Sequence, residues 1–414
     1  MKLYDELKWR GLIDNVSDPT IEESINNGGM TFYIGVDGSG ESLHIGHYSS
    51  AISMVKRLKD GGHNPIFLAG GGTSLIGDPK PNAERPMITK EVCQKNMEAI
   101  SKRVKELLGD EVKIVNNASW LLKMGAIDYL RDYGKFFNIN YMLAKDTVKK
   151  RLDIGITYTE FSYMLLQSID FLKLYENENC IMQIGGSDQW GNITAGLELI
   201  RKVHGADTKC FCLTMPLITR ADGSKFGKSE TGEALWINKD KTSPYNMYQY
   251  FINTEDEKII EYLKKLTFLS VEEIKDIENK IRLEPEKRIG QQILAKEVII
   301  FLHGLNEYNK ALKISEALFS GNINNLTIEE IKEAFSNVPS IELDKEISII
   351  DLLTEKEITS SKREAREFLS SGAILINNEK IIDEEKLITK QLALYNKYLI
   401  IRKGKKKYYL AIVK

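Results

Sequence analysis

With 414 residues, 42% hydrophobic and 28% charged side chains and a net charge of −2, the chain has the make-up of a soluble globular protein with two or three cores. No apolar run approaches the length of a membrane span, and MKLYDELKWRGLI at the start carries acidic residues where a signal peptide needs its apolar stretch, so a cytoplasmic protein is expected. The cysteines argue against a disulfide scaffold: Cys93 and Cys180 are isolated, and Cys210 and Cys212 alternate in KCFCLTMPL as buried strand residues, not as a zinc pair.

In chain order, MTFYIGVDG reads as a strand running into a glycine-containing loop, and HIGHYSSAISMVKRLKDGG as a helix closed by glycines. NPIFLAGGG is the next strand, with its glycines just past the carboxyl end, the edge where open α/β sheets bind ligands. NCIMQIGGSDQWGN repeats that arrangement, and CFCLTMPLIT supplies a further strand. This alternation is that of a doubly wound α/β sheet. After KTSPYNMYQYF the strands stop; Pro244 suits the first turn of a helix, and residues 245 to about 335 are Glu/Lys-rich with helical periodicity. SNVPSIELDKE reads as a linker. Beyond it come two helical stretches and GAILINNEKI, a strand with an Asn-Asn turn signal. From Ser348 onward 14 Lys/Arg face 9 Asp/Glu, a charge of +5 that leaves −7 for the rest of the chain and hints at a polyanionic partner.

Four constellations can carry chemistry. His44 and His47 in ESLHIGHYSS share one face of a helix's first turn, with Ser42 as a cap; imidazole donors and free backbone amides there suit phosphate, unless the two are ordinary surface histidines. In AGGGTSLIGDP neither a dinucleotide fingerprint nor a P-loop is complete, because Leu75 stands where a third glycine belongs and Gly77 is followed by Asp-Pro; a glycine-rich bend leading to the Asp78 carboxylate remains. In TEFSYMLLQSIDFLKLY, Tyr163, Gln167 and Asp170 form one helical stripe, either the wet side of an amphipathic helix or the polar lining of a pocket. RADGSKFGKSE ends like a P-loop, but Asp222 occupies the position of its first glycine; Lys225 and Lys228 beside two glycines can instead bring point charges to a triphosphate.

Taken in order, Tyr33 and Asp37, His44-Ile45-Gly46-His47, the Tyr-Gln-Asp helix, Gln183-Ile184-Gly185-Gly186-Ser187-Asp188-Gln189-Trp190-Gly191-Asn192 and Lys225-Phe226-Gly227-Lys228-Ser229 closely resemble bacterial tyrosyl-tRNA synthetases, over nearly the whole chain. The two outer motifs resemble the signatures of class I aminoacyl-tRNA synthetases. The resemblance implies a Rossmann-like catalytic domain over 1–240, a helical tRNA anticodon-binding domain over 241–338 and an α+β S4-like RNA-binding domain over 348–414. It further implies tyrosine contacts from Tyr33, Asp78, Tyr163, Gln167, Asp170 and Gln183, and ATP contacts from Gly35, Asp37, Ser39, His44, Gly46, His47, Asp188, Gln189 and Lys228. His44, His47, Lys225, Lys228 and Ser229 would act in catalysis by positioning and charge stabilisation, without a side-chain nucleophile. ATP with its Mg2+, L-tyrosine and tRNA(Tyr) are the implied substrates and a homodimer the implied assembly, with no metal held by the protein itself. Lys362, Arg363 and Arg366 on a basic helix, with Lys405, Lys406 and Lys407, would meet RNA phosphates. One departure stands out: the family's usual Asp-Pro-Thr after the first strand is Asp37-Gly38-Ser39-Gly40 here, keeping a hydroxyl but losing the proline's rigidity. Tryptophanyl-tRNA synthetases share the architecture, but Tyr33 with Asp170 and the S4-like tail argue against them. A catalytically retired RNA-binding relative is at odds with the intact signatures, and a nucleotidyltransferase that never meets tRNA leaves the basic tail unexplained.

Overall fold

The computed structural model describes residues 1–79, 86–149, 151, 152, 155–224, 226, 227, 234–336, 338–404 and 407–414. They form two compact units, Met1–Thr242 with Phe251–Leu302, and Ser243–Tyr250 with His303–Lys414.

Five strands make the sheet of the first unit: β1 (Thr31–Val36), β2 (Asn64–Ala69), β3 (Lys113–Asn116), β4 (Cys180–Gly186) and β5 (Phe211–Met215). Their order is β3-β2-β1-β4-β5, and every neighbouring pair is parallel. Phe32, Tyr33 and Ile34 on β1, and Ile66, Phe67 and Leu68 on β2, are all buried. Such unbroken apolar runs belong to strands covered by helices on both faces. Each large apolar side chain so buried stabilises the fold by about 1.5–3 kcal/mol relative to leaving it in water. The doubly wound sheet expected from the sequence is therefore present, with β3 as a strand that the sequence pattern does not separate. The strand order reverses between β1 and β4, and ligands of open α/β sheets bind beyond the carboxyl ends at such a point.

Two helices flank that point. Residues 45–60 form one continuous helix whose turns widen to π-type over Tyr48–Met54. Tyr158–Glu178 is capped by Thr157, whose hydroxyl accepts the Glu160 N–H at 3.3 Å, and it stops where Asn179 turns left-handed at φ 51°. Phe171, Leu172 and Leu174 of that helix pack in one core with Ile193, Leu197 and Ile200 of Trp190–His204. All four cysteines are buried free thiols. No described helix is long and apolar enough to cross a membrane.

The helical stretch expected as one body over 241–338 is divided: residues 251–302 belong with the sheet unit, and residues 243–250 and 303–336 with the second unit. There Ile314, Ile331 and Phe335 share a core with Tyr398, Ile400 and Leu410. The remaining strands are β6 (Ser340–Leu343), β7 (Ile347–Ser348), β8 (Ile374–Ile376), β9 (Glu379–Lys380), β10 (Leu387–Ile388), β11 (Tyr398–Lys403) and β12 (Lys407–Val413). β7 pairs with β10, and the others form a sheet in the order β6-β12-β11-β8-β9. The segment SNVPSIELDKE is thus not simply a linker. Its Ile341 and Leu343 alternate inward and are buried while β6 pairs in parallel with β12, so two apolar residues at strand spacing decide the outcome. Asn377 and Asn378, at φ 48° and 70°, make the tight turn between β8 and β9 that the Asn-Asn pair predicts.

Candidate active site

Beyond the carboxyl ends of β1 and β4 lies a cavity of about 550 Å³. Tyr33, Tyr163, Gln167, Asp170 and Gln183 line one part of it, so the helical stripe faces a pocket and not bulk water. Asp78 lines it from the bend after β2, Asp188 and Gln189 from the turn after β4, and Gly35, Asp37, Ser39, His44, Gly46 and His47 from the end of β1 and the loop and helix after it.

The first part is buried yet incompletely bonded. Tyr33 is wholly buried and its Oη has no partner among the described residues; the Oε1 atoms of Gln167 and Gln183 are also buried and have none among them. Leaving such a group unpaired costs about 1–3 kcal/mol, so three of them around one cavity mark the complement of a polar ligand. Between them sits Asp170, 2% exposed, which accepts from Asn117 Nδ2 at 2.9 Å and from Trp120 Nε1 at 2.8 Å. Burial pushes its carboxyl up to about 7, against the two donors and with help from the Asp37 charge. Burial likewise holds the Tyr33 and Tyr163 phenols far above their ordinary range, so both stay protonated. Tyr163 Oη donates to Asp37 Oδ2 at 3.0 Å, and Thr73 Oγ1 to Asp37 Oδ1 at 2.9 Å. Asp78 accepts from Gln189 Nε2 at 3.0 Å and from Asn192 Nδ2 at 3.3 Å.

At the helix start the cap is His44 itself and not Ser42, whose hydroxyl donates to the Leu43 carbonyl. His44 Nδ1 accepts the Gly46 N–H at 3.0 Å, and His47 Nδ1 accepts the His44 N–H at 3.4 Å. Both rings therefore carry their proton on Nε2, and they stack with centroids 3.8 Å apart. Burial, reinforced by His44, pushes His47 down to about 3, so it is neutral at physiological pH. His47 thus offers an Nε2–H donor and not a charge, with the Nε2–H of His44 beside it.

Lys225, Lys228 and Ser229 lie outside the described residues, but Phe226 and Gly227 between them do not. Phe226 packs on Tyr262 with ring centroids 4.7 Å apart. A Cβ on Gly227 would come within 2.5 Å of Ile45 Cγ2 and 3.2 Å of the Gly46 nitrogen. Hydrogen bonds stitch the same place: Leu235 N–H to Gly227 O at 2.9 Å, Ile45 N–H to Leu235 O at 2.8 Å and Ile237 N–H to Leu43 O at 2.9 Å. Two motifs far apart in sequence thus meet at one rim of the cavity.

Sequence reasoning alone does not single out Asn117, Trp120, Thr73 or Trp236. A polar residue just past a parallel strand is a usable signal for Asn117, but β3 is short and at best half-buried, and its pattern is weak. Trp236 lines the cavity and meets His44 edge to face at 6.4 Å.

In the second unit Ala365 and Leu369 are buried and Phe368 partly so, leaving Lys362, Arg363 and Arg366 outward on the Lys362–Ser370 helix. Each is engaged in an ion pair, with Asp351 at 2.8 Å, Glu367 at 3.2 Å and Glu384 at 3.1 Å. Exposed pairs of this kind contribute about 0–1 kcal/mol and can yield to phosphate. Lys407 is exposed at the start of β12; Lys405 and Lys406 lie outside the described residues. No group of three or more metal-ligating side chains occurs among the described residues.

A parallel sheet with this cavity at its switch point, rimmed by the histidine pair and the Phe226–Gly227 segment, defines a class I aminoacyl-tRNA synthetase, and the family model described as "tRNA synthetases class I (W and Y)" matches residues 26–320. A second model, the tyrosine–tRNA ligase SYY-like C-terminal domain, matches residues 330–411. The tyrosine–tRNA ligase of Geobacillus stearothermophilus is 48% identical over 422 residues, 99% of each chain, and that of Limosilactobacillus reuteri is 48% identical over 418 residues, 100% of each. Among solved structures, a C-terminally truncated mitochondrial tyrosyl-tRNA synthetase of Aspergillus nidulans superimposes with a TM-score of 0.70 at 29% identity, covering 77% of this chain and 94% of its own. The chain belongs to the tyrosine–tRNA ligases. It activates L-tyrosine with ATP to tyrosyl-adenylate and pyrophosphate, then transfers tyrosine to the 3′-terminal ribose of tRNA(Tyr).

Proposed function

We propose that the cavity divides this work between its two parts. Tyr33 and Asp170 meet the phenol hydroxyl of tyrosine, with Tyr33 Oη and the Asp170 carboxylate as complementary partners. Asp78, Tyr163, Gln167 and Gln183 hold the amino acid's backbone end. A site built around that hydroxyl rejects phenylalanine because its own buried groups would stay unpaired; tyrosyl-tRNA synthetase is itself a standard illustration of this rule.

ATP takes the rim. The Nε2–H donors of His44 and His47 and the loop from Gly35 to Ser39 meet the phosphates, Gly46 lets them approach the backbone, and Asp188 and Gln189 lie along the adenylate. Lys225, Lys228 and Ser229 close on the β- and γ-phosphates, Lys228 above all, and Mg2+ arrives with the nucleotide. The tyrosine carboxylate attacks the α-phosphorus, the bond to the bridging oxygen breaks, and pyrophosphate leaves with the displaced electron pair. Positioning and charge stabilisation carry the step.

The meeting of Gly227 with Ile45 and Gly46 carries this reading. The test is single-turnover adenylate formation: Lys228→Ala should slow it far more than it weakens tyrosine binding, and equal losses in both would count against the loop's role. The Lys362, Arg363 and Arg366 helix with Lys405, Lys406 and Lys407 takes tRNA phosphates, and the helical residues between the two sheets support the anticodon arm. Two chains pair as a homodimer through Leu122, Ile127, Leu130, Ile139 and Tyr158, apolar side chains that are 51–70% exposed in the single chain. Ile127→Glu with Leu130→Glu should give a monomer by sedimentation.

A further inference from the structure

The loop Asp37-Gly38-Ser39-Gly40 is, by composition, free to wander. Its surroundings do not let it. The Gly38 N–H donates to Ser74 Oγ at 2.7 Å, and the Gly38 carbonyl accepts from Asn96 Nδ2 at 2.7 Å; both bonds are buried. Asn96 is 4% exposed and Ser74 8%, and neither lines the cavity. The Ser74 hydroxyl in turn donates to the Gly70 carbonyl, which fixes its rotor so that a lone pair faces Gly38. Asn96 comes from the Lys90–Leu108 helix, and the next residue of that helix closes the space: a Cβ on Gly38 would stand 3.0 Å from Met97 Cε, 3.2 Å from Met97 Cγ and 3.4 Å from the Cys93 carbonyl. The exposed Lys95–Glu41 pair at 2.8 Å adds little, being fully solvated.

We infer that Asn96 and Ser74 are positioning residues for adenylate formation: they clamp Gly38 by its carbonyl and its N–H, on the two peptide units that flank its Cα, and so aim Asp37 and Ser39 at the nucleotide. This rests on the reading of Asp37 and Ser39 as ATP contacts given above. Hydrogen bonds made behind the loop do here what a fixed φ would do at position 38; Asn96 makes its bond from a helix that carries none of the tyrosine-facing groups, whereas Ser74 shares its bend with Asp78. A transfer that depends on positioning is sensitive to such support.

The experiment is tyrosine-dependent ATP–pyrophosphate exchange by the full chain, with ATP and tyrosine varied separately and thermal unfolding followed alongside. Asn96→Leu and Ser74→Ala each strand a buried backbone group and should raise KM for ATP by on the order of tenfold; for Asn96→Leu, whose helix carries no tyrosine-facing group, KM for tyrosine should stay within about twofold. Gly38→Ala, which drives the loop off Met97, should act in the same direction, and Met97→Ala in that background should restore the ATP KM. Equal changes in both KM values, or a lower Tm with the ATP KM unchanged, would overturn the clamp. If Asn96→Leu does not fold, the Gly38→Ala and Met97→Ala pair decides the matter alone. Ser39→Ala and Asp37→Asn separate the two levels. If they raise the ATP KM and the clamp variants do not, the clamp fails while the site stands; if they leave it unchanged, the site reading fails and the clamp with it.

Discussion

Asn117 and Trp120 occupy part of the Asp170 carboxylate and leave it room for one further donor. With its pKa near 7 against an ordinary 3.8, the folded pocket holds the Asp170 proton more tightly than the unfolded chain does. The stability this lends is therefore present below about pH 4 and is lost as pH rises through 7. If Asp170 receives the substrate phenol as proposed, tyrosine binding should run the other way, because the ionised carboxylate is the better acceptor for a phenol. KM for tyrosine should rise as pH falls below about 7, and Asp170→Asn should flatten the profile while gaining more in Tm at pH 8 than at pH 5. Trp120→Phe removes one donor, so the rise in KM should begin at higher pH, with about a fivefold increase at neutral pH. Tyr163, Gln167 and Asp170 are legible as a stripe because helical spacing is local information. Asn117 and Trp120 are not, since nothing in the sequence near 117 speaks of a carboxylate that follows it by 53 residues.

At the scale of elements, the rim depends on how closely one backbone approaches another. Gly227 has φ +85° and lies against Ile45 and Gly46. Gly227→Ala therefore meets both left-handed strain, about 1–2 kcal/mol, and a side-chain collision. It should slow adenylate formation by at least about tenfold while leaving the tyrosine dissociation constant unchanged, as pre-steady-state measurements would resolve. The two motifs are each readable in sequence, and so are the strands that carry Tyr33 and Gln183, whose mostly apolar residues run into glycines at the carboxyl end. Their approach is readable only by resemblance, because residue spacing within a motif says nothing of the distance between motifs. β6 escapes notice for a different reason: a proline, serines and alternating charges mask two inward residues, and strand pairing with β12 supplies the rest.

Over the whole molecule, the helical stretch between the sheets could not be apportioned from its amphipathic pattern, which shows that a face is covered but not by what. Because Ile314, Ile331 and Phe335 are covered by Tyr398, Ile400 and Leu410, a fragment ending at residue 338 should unfold at lower temperature and be cut by protease between 303 and 336 well before the full chain. Neutralising Lys362, Arg363 and Arg366 to Gln should weaken tRNA charging and leave pyrophosphate exchange intact. The salt dependence of tRNA binding should become shallower, its slope falling by roughly one for each phosphate that is no longer neutralised.

The position of β12 carries a timing consequence. It lies between β6 and β11, yet is made after both, so the sheet stays split until residues 407–413 have been synthesised. A ribosome that stalls a few codons short of them releases a chain whose catalytic unit is entire and whose tail has an unzipped seam. Such a product could still consume ATP and tyrosine while handling its nucleic acid poorly, and its open strand edges would single it out for clearance.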